Sequence, residues 1–166
     1  MPDKKNVTDS EHARRVREMF AGIAKRYDLL NHLLSGNTDK RWRRLVAERL
    51  HDVLATKEAR ALDVACGTGD LSLALAEKTG ARIIGTDFCR PMLEIAARKA
   101  SATSVSEIPF VEGDALRLPF ADCSFDAVSI AVGLRNLSSV EMGLKELRRV
   151  LKPMGRAAIL EFSTPV

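Results

Sequence analysis

Asp63-Val64-Ala65-Cys66-Gly67-Thr68-Gly69-Asp70 follows directly on a short apolar run, and 24 residues after Asp63 a second run, Arg82-Ile83-Ile84-Gly85-Thr86, stops at Asp87. A glycine loop opening a helix lets backbone amides approach a ligand, and an acid closing the next parallel strand accepts both hydroxyls of a ribose. The pairing implies a nucleoside cofactor held between two neighbouring strands. Its loop reads Ala65-x-Gly67-x-Gly69 with acids at both ends rather than G-x-G-x-x-G. A pyrophosphate would meet Asp63 and Asp70, whereas the ammonium and sulfonium groups of S-adenosylmethionine suit that charge.

Outward from this loop, short apolar runs alternate with helical periodicity. The pattern predicts strands near 61–65, 82–86, 108–111, 125–132 and 156–162 and helices near 70–79, 90–102 and 138–151, hence an α/β fold with a mainly parallel sheet. Pro153 and Gly155 end the last helix and turn into the final strand. Upstream lie two amphipathic helices. Thr8-x-x-Glu11 caps the first, whose stripe Val16, Met19, Phe20, Ile23, Tyr27, Leu30, Leu34 runs to about 34. The second starts at Thr38 or Asp39 and repeats the period through Trp42, Leu45, Val46, Leu50, Val53 and Leu54. We expect one domain over 1–166, with a helical substrate-side segment (1–60) and a cofactor-binding core (61–166).

Ligands of open parallel sheets bind at the carboxyl ends of the strands. The first loop offers Asp63 and the amides around Gly67, Thr68 and Gly69 for the aminocarboxypropyl group, and the second offers Asp87 for the ribose. After the third strand, Gly113-Asp114-Ala115 supplies a carboxylate and an amide where an adenine needs an acceptor and a donor. The fourth strand exits into Gly133-Leu134-Arg135-Asn136, facing the methyl group. Cys66 has no adjacent base and reads as a small filler rather than a nucleophile.

The 166 residues are 46% hydrophobic and 29% charged, with no apolar run long enough to span a bilayer. Cys66, Cys89 and Cys123 are odd in number and lack metal-ligand spacing, so no metal is expected and a reduced, cytoplasmic setting is. The net charge of +4 is uneven: residues 1–60 carry 14 Lys/Arg against 9 Asp/Glu, the remainder 12 against 13. An anionic surface, either nucleic acid or lipid, is one reading of that excess, and a solvated helix face is the other.

Arg26-Tyr27-Asp28-Leu29-Leu30-Asn31, Trp42-Arg43-Arg44, the loop from Leu62 to Asp70, Gly113-Asp114-Ala115 with Leu118-Pro119-Phe120, Gly133-Leu134-Arg135-Asn136, and Arg149-Val150-Leu151-Lys152-Pro153 through Leu160-Glu161-Phe162-Ser163 resemble the menaquinone/ubiquinone biosynthesis C-methyltransferases. The match runs from about 16 to 165. It implies a Rossmann-like class I methyltransferase sandwich, with the hairpin that closes such sheets beyond the fifth strand missing. It also implies S-adenosylmethionine-dependent C-methylation of a demethylated prenyl quinol. The cofactor contacts carried over are Thr68, Asp87, Asp114 and Ala115. Met154 replaces a common glycine and Ala131 a common serine. Arg135 then suits the developing oxyanion, Asn136 the ring or a water, and Tyr27 and Asn31 the quinol pocket.

A prenylated substrate favours peripheral membrane contact at the inner face through Lys40, Arg41, Arg43 and Arg44. The fifth strand, as an apolar edge, could pair with another copy of the chain. Two further readings stay open, a shortened S-adenosylmethionine-binding domain without activity and a methyltransferase for another small molecule. Nucleic acid is disfavoured, since few aromatics interleave with the basic residues. Naphthoquinol and benzoquinol acceptors are not distinguished by the residues.

Overall fold

The computed structural model describes residues 14–22, 38–103, 105 and 108–162. In chain order these form α1 (residues 14–22), α2 (Thr38–Leu50), β1 (Arg60–Val64), α3 (Asp70–Thr79), β2 (Arg82–Asp87), α4 (Arg90–Ser101), β3 (Phe110–Glu112), β4 (Phe125–Ala131), α5 (Val140–Val150) and β5 (Leu151–Leu160). The strands pair in the order β3-β2-β1-β4-β5, and every described pairing is parallel. The order reverses between β1 and β4, which creates a crevice above their carboxyl ends.

Side-chain alternation assigns the two faces. Ala61 and Ala127 point into a core shared with Leu50 and Leu54, Leu71 and Leu75 of α3, and Ala100 of α4. Leu62, Val64, Val128 and Ile130 point the other way, onto Leu147 and Val150 of α5. Asp63 therefore shares the α3 face with Ala61, a parity that decides what its carboxylate can reach.

Predicted and observed elements coincide except at edges. The third strand is shifted to Phe110–Glu112. The last begins at Leu151 instead of 156, because Phe125 pairs with Leu151 before Ala127 pairs with Arg156. Residues 152–155 thus form an outward bulge within β5, with Met154 almost fully exposed at φ 65. Gly155 permits it, since a Cβ there would come within 2.9 Å of the Asp126 carbonyl oxygen. Among the described residues β5 is an edge strand, with Ile159 and Phe162 about half exposed. The capping box at Thr8-x-x-Glu11 and the first helix beyond residue 22 lie outside the described residues. Within 14–22, Val16 and Phe20 face inward and Met19 outward, so the stripe is narrower than expected.

Candidate functional site

A cavity of about 460 Å³ opens over the crevice, a size typical of small-molecule sites. The loop after β1 is its floor. Ala65, Gly67 and Gly69 all have positive φ, at 51°, 55° and 80°. These left-handed turns let the Gly67 amide donate to Asp87 Oδ2 at 2.9 Å, while the Cys89 amide donates to Oδ1 at 2.8 Å. Each carboxylate oxygen has further acceptor capacity, which suits a vicinal diol. Burial raises the Asp87 pKa, opposed by the amides of Cys89 and Gly67. Gly69 serves packing as well, because a Cβ would sit 2.9 Å from that of Ala96 on α4.

The wall after β3 carries Asp114, whose Oδ1 accepts the Leu116 amide at 2.9 Å, and buried Ala115. That loop is pinned to α5 by Arg149. Its Nε and Nη2 meet both oxygens of Glu146, Nη1 meets Asp122 and the Phe120 carbonyl, and Nη2 also meets the Leu118 carbonyl. Five contacts match the five N–H donors of a guanidinium. At the end of β4, Val132 adopts φ 58, an unfavourable conformation for a β-branched residue, and its amide donates to the Leu160 carbonyl at 2.7 Å. Gly133 follows, where a Cβ would lie 2.6 Å from that of Ala65. Ala65 after β1 and Val132 after β4 are thus both left-handed, and Gly133 beside Val132 lets the two loops approach each other.

Of the residues singled out by sequence, Gly67, Asp87, Asp114, Ala115 and Asn136 line the cavity. Asp63, Thr68, Gly69 and Arg135 stand outside that lining. Asp63 is buried between sheet and helix, accepting from Ser72 Oγ at 2.6 Å and from Ser129 Oγ, its partner across β4, at 2.8 Å. Burial pushes its pKa up to about 6 against those two hydroxyls. Arg135 turns its guanidinium to Glu161, at 3.7 Å, and over the Phe162 ring at 5.2 Å, and Phe162 in turn stacks edge-on with Trp42 at 5.5 Å. Tyr27 and Asn31 lie outside the described residues.

The structure relocates the negative charge inferred for the glycine loop. Asp70 is paired with Lys99 and Arg43, and Asp63 is sealed from the cavity, so neither carboxylate faces a ligand. Among the described residues, the acids that do line it are Asp87, Glu112 and Asp114, against a single cation, Arg17. Glu112 went unremarked in the sequence, although its register opposite Asp87 follows once β3 is extended to Glu112. Arg17 and Phe20 were also missed as lining residues, because nothing local says that α1 crosses the crevice. Phe20 packs against Cys89 and Met92, and Arg17 lies 5.5 Å from the Phe88 ring centroid. Cys66 is held as a thiol, its pKa raised well above normal by burial and by Asp63 and Asp87, in keeping with a filler. Arg43, expected on an outward basic face, is mostly buried in its ion pairs.

A parallel 3-2-1-4-5 sheet with an acidic crevice at its switch point has the fold of class I S-adenosylmethionine-dependent methyltransferases. A solved putative S-adenosyl-L-methionine-dependent methyltransferase from Methanococcus maripaludis superposes with a TM-score of 0.72 at 25% identity, covering 84% of this chain and 62% of that one. Residues 7–166 match the ubiE/COQ5 methyltransferase family, and the chain belongs to it. It is 53% identical to demethylmenaquinone methyltransferase of Thermus thermophilus over 89% of this chain and 66% of that protein. With the Deinococcus radiodurans enzyme of the same name the figures are 51%, 90% and 61%. The chain therefore spans less than two-thirds of the length of these curated relatives.

Proposed function

We propose that the chain binds S-adenosylmethionine in the crevice and methylates a ring carbon of a demethylated prenyl quinol, the demethylmenaquinol class named for its relatives. The observation that carries the reading is the tie between Gly67 and Asp87, which fixes a carboxylate with spare acceptor sites on the cavity wall. The residues present fit the group: Asp87 for the ribose hydroxyls, Asp114 and the Ala115 amide for adenine, and the amides around Gly67 and Thr68 for the amino-acid end. Among the described residues, three carboxylates against one guanidinium favour a cationic ligand over a pyrophosphate.

When bound, S-adenosylmethionine supplies an electrophilic methyl group on sulfur. The chain's task is to align the acceptor carbon with it and to stabilise charge on the quinol oxygen as its proton leaves. Arg135 stands beside the cavity on a 3-10 turn and reaches that oxygen by rotating away from an exposed ion pair. Asn136, whose amide donates to the Val132 carbonyl at 3.4 Å, orients the ring or the proton-accepting water. In this reading residues 1–60 form the substrate side, with Tyr27 and Asn31 in the quinol pocket, and 61–166 form the cofactor core of one domain. Lys40, Arg41 and Arg44 are exposed and available to anionic headgroups, without Arg43. Among the described residues no helix is long and apolar enough to cross a membrane, so the lipid substrate would be met at a surface. The β5 edge is where two copies would pair.

The test is transfer of label from S-adenosylmethionine to reduced demethylmenaquinone in detergent, comparing the chain with Asp87→Ala. We expect labelled quinone lipid, and a loss of cofactor affinity of about a hundredfold or more in the variant, which removes two charge-assisted hydrogen bonds. Cofactor binding without transfer favours the alternative of a binding domain. Absence of binding sinks the reading.

A further inference from the structure

Three helices meet at the exit of the glycine loop. Asp70 is the first residue of α3, and its carboxylate is a two-sided junction: Oδ1 is paired with Lys99 of α4, and Oδ2 with Arg43 Nη1 of α2 at 3.3 Å. Arg43 is held in turn by Asp39, its Nη2 lying 2.6 Å from Oδ2. Lys99 reaches back into the loop, its Nζ 3.5 Å from Thr68 Oγ1. All four charged side chains are at most about a quarter exposed. Arg43 and Lys99 are long side chains that lose considerable rotamer freedom when fixed. A surface ion pair would return little for that cost, but a partly desolvated junction does better.

We propose that Lys99 and Arg43, acting through Asp70 and Thr68, are positioning residues that hold the glycine loop in its cofactor-binding geometry. This rests on the reading of the crevice as an S-adenosylmethionine site. A carboxylate at a helix N-terminus would otherwise be drawn to the loop amides that the ligand needs. Lys99 and Arg43 draw Asp70 outward, away from the cavity, and Lys99 fixes the rotamer of Thr68. The loop then keeps its amides directed at the ligand, and the negative charge at the ligand is left to Asp87, Glu112 and Asp114. The same junction fastens α2 to the cofactor half, so the segment that carries Trp42 on one side carries a loop anchor on the next residue.

The experiment measures the Kd of S-adenosylmethionine by calorimetry for the chain, Lys99→Met, Lys99→Arg and Asp70→Asn, with Lys145→Met in an exposed pair as control. Lys99→Met is expected to raise Kd about tenfold while the quinol KM at saturating cofactor stays within about twofold, and Lys99→Arg to restore most of the affinity. Asp70→Asn is expected to weaken binding similarly, and the double variant to cost less than the two single changes combined. Unchanged Kd in Lys99→Met and Asp70→Asn, with only melting temperature lowered, overturns the proposal and leaves the cofactor site intact. No binding by the unsubstituted chain would instead remove the site itself, and the proposal with it.

Discussion

The carboxyl ends of β1 and β2 and those of β4 and β5 lie on either side of the crevice but are built differently. At the first pair, Asp87 is held by two backbone amides at 2.9 and 2.8 Å, and the sealed Asp63 by two buried serine hydroxyls. At the second pair, Arg135 is held by a half-exposed ion pair at 3.7 Å and an aromatic face. Backbone donors cannot be withdrawn without unfolding the loop, whereas an exposed pair contributes at most about 1 kcal/mol and is easily exchanged. The β1/β2 end is therefore preorganised, while the β4/β5 end carries a cation whose pairing is open to exchange, as its proposed role on the quinol oxygen requires.

Replacing the exchangeable cation gives the largest effect that tests this contrast. In Arg135→Ala, turnover is expected to fall roughly 100- to 1,000-fold, as for other lost oxyanion donors, with cofactor Kd within about twofold. Near-normal kcat would mean that the guanidinium does nothing beyond its contact with Glu161 and Phe162. A large loss of cofactor affinity would mean that the two ends of the crevice are not separable.

The buried acid on β1 gives a smaller effect, read as stability against pH. Burial raises the Asp63 pKa from 3.8 to about 6, so the folded chain keeps a proton there that the unfolded chain releases. Its contribution is fully favourable below 3.8 and is lost as pH rises towards 6. Asn cannot titrate, and the serine hydroxyls can donate to or accept from its amide. In urea unfolding, the stability of Asp63→Asn relative to the parent should rise by up to about 1.4 kcal/mol per pH unit through that window, then level off. A flat or falling difference would show that Asp63 ionises normally and that water reaches it past Ser72 and Ser129.

Much of this was legible in the sequence because strands buried on both faces announce themselves as apolar runs, and loops at parallel strand ends carry the chemistry. Asp87, Asp114 and Ala115 follow from position alone. Asp63 shows the limit: its place in the motif is plain, but whether the carboxylate points at a ligand or under α3 depends on strand parity and on Ser72 and Ser129. Asp70 and Arg43 show another, since an ion pair between helices 27 residues apart leaves no local pattern. The bulge at 152–155 was mistaken for a turn because Pro153 and Gly155 suit either, and only pairing with β4 separates them.

The smallest expected effect lies at Phe162, which bridges the β4/β5 end to α2. It is 58% exposed, its ring meets Trp42 at 75° to the plane, and it lies under the Arg135 guanidinium. Phe162→Leu keeps an apolar contact but removes the quadrupole that attracts the cation, an interaction worth about 0.5–1 kcal/mol at an exposed site. Turnover should therefore change only two- to fivefold by that magnitude, with cofactor Kd unaltered and Phe162→Tyr close to the parent. A loss as deep as that of Arg135→Ala would sharpen the comparison in the opposite direction. It would mean that the ring fixes the guanidinium as firmly as backbone amides fix Asp87, and that the β4/β5 end, too, is preorganised, through an aromatic contact with α2 rather than through its own loop.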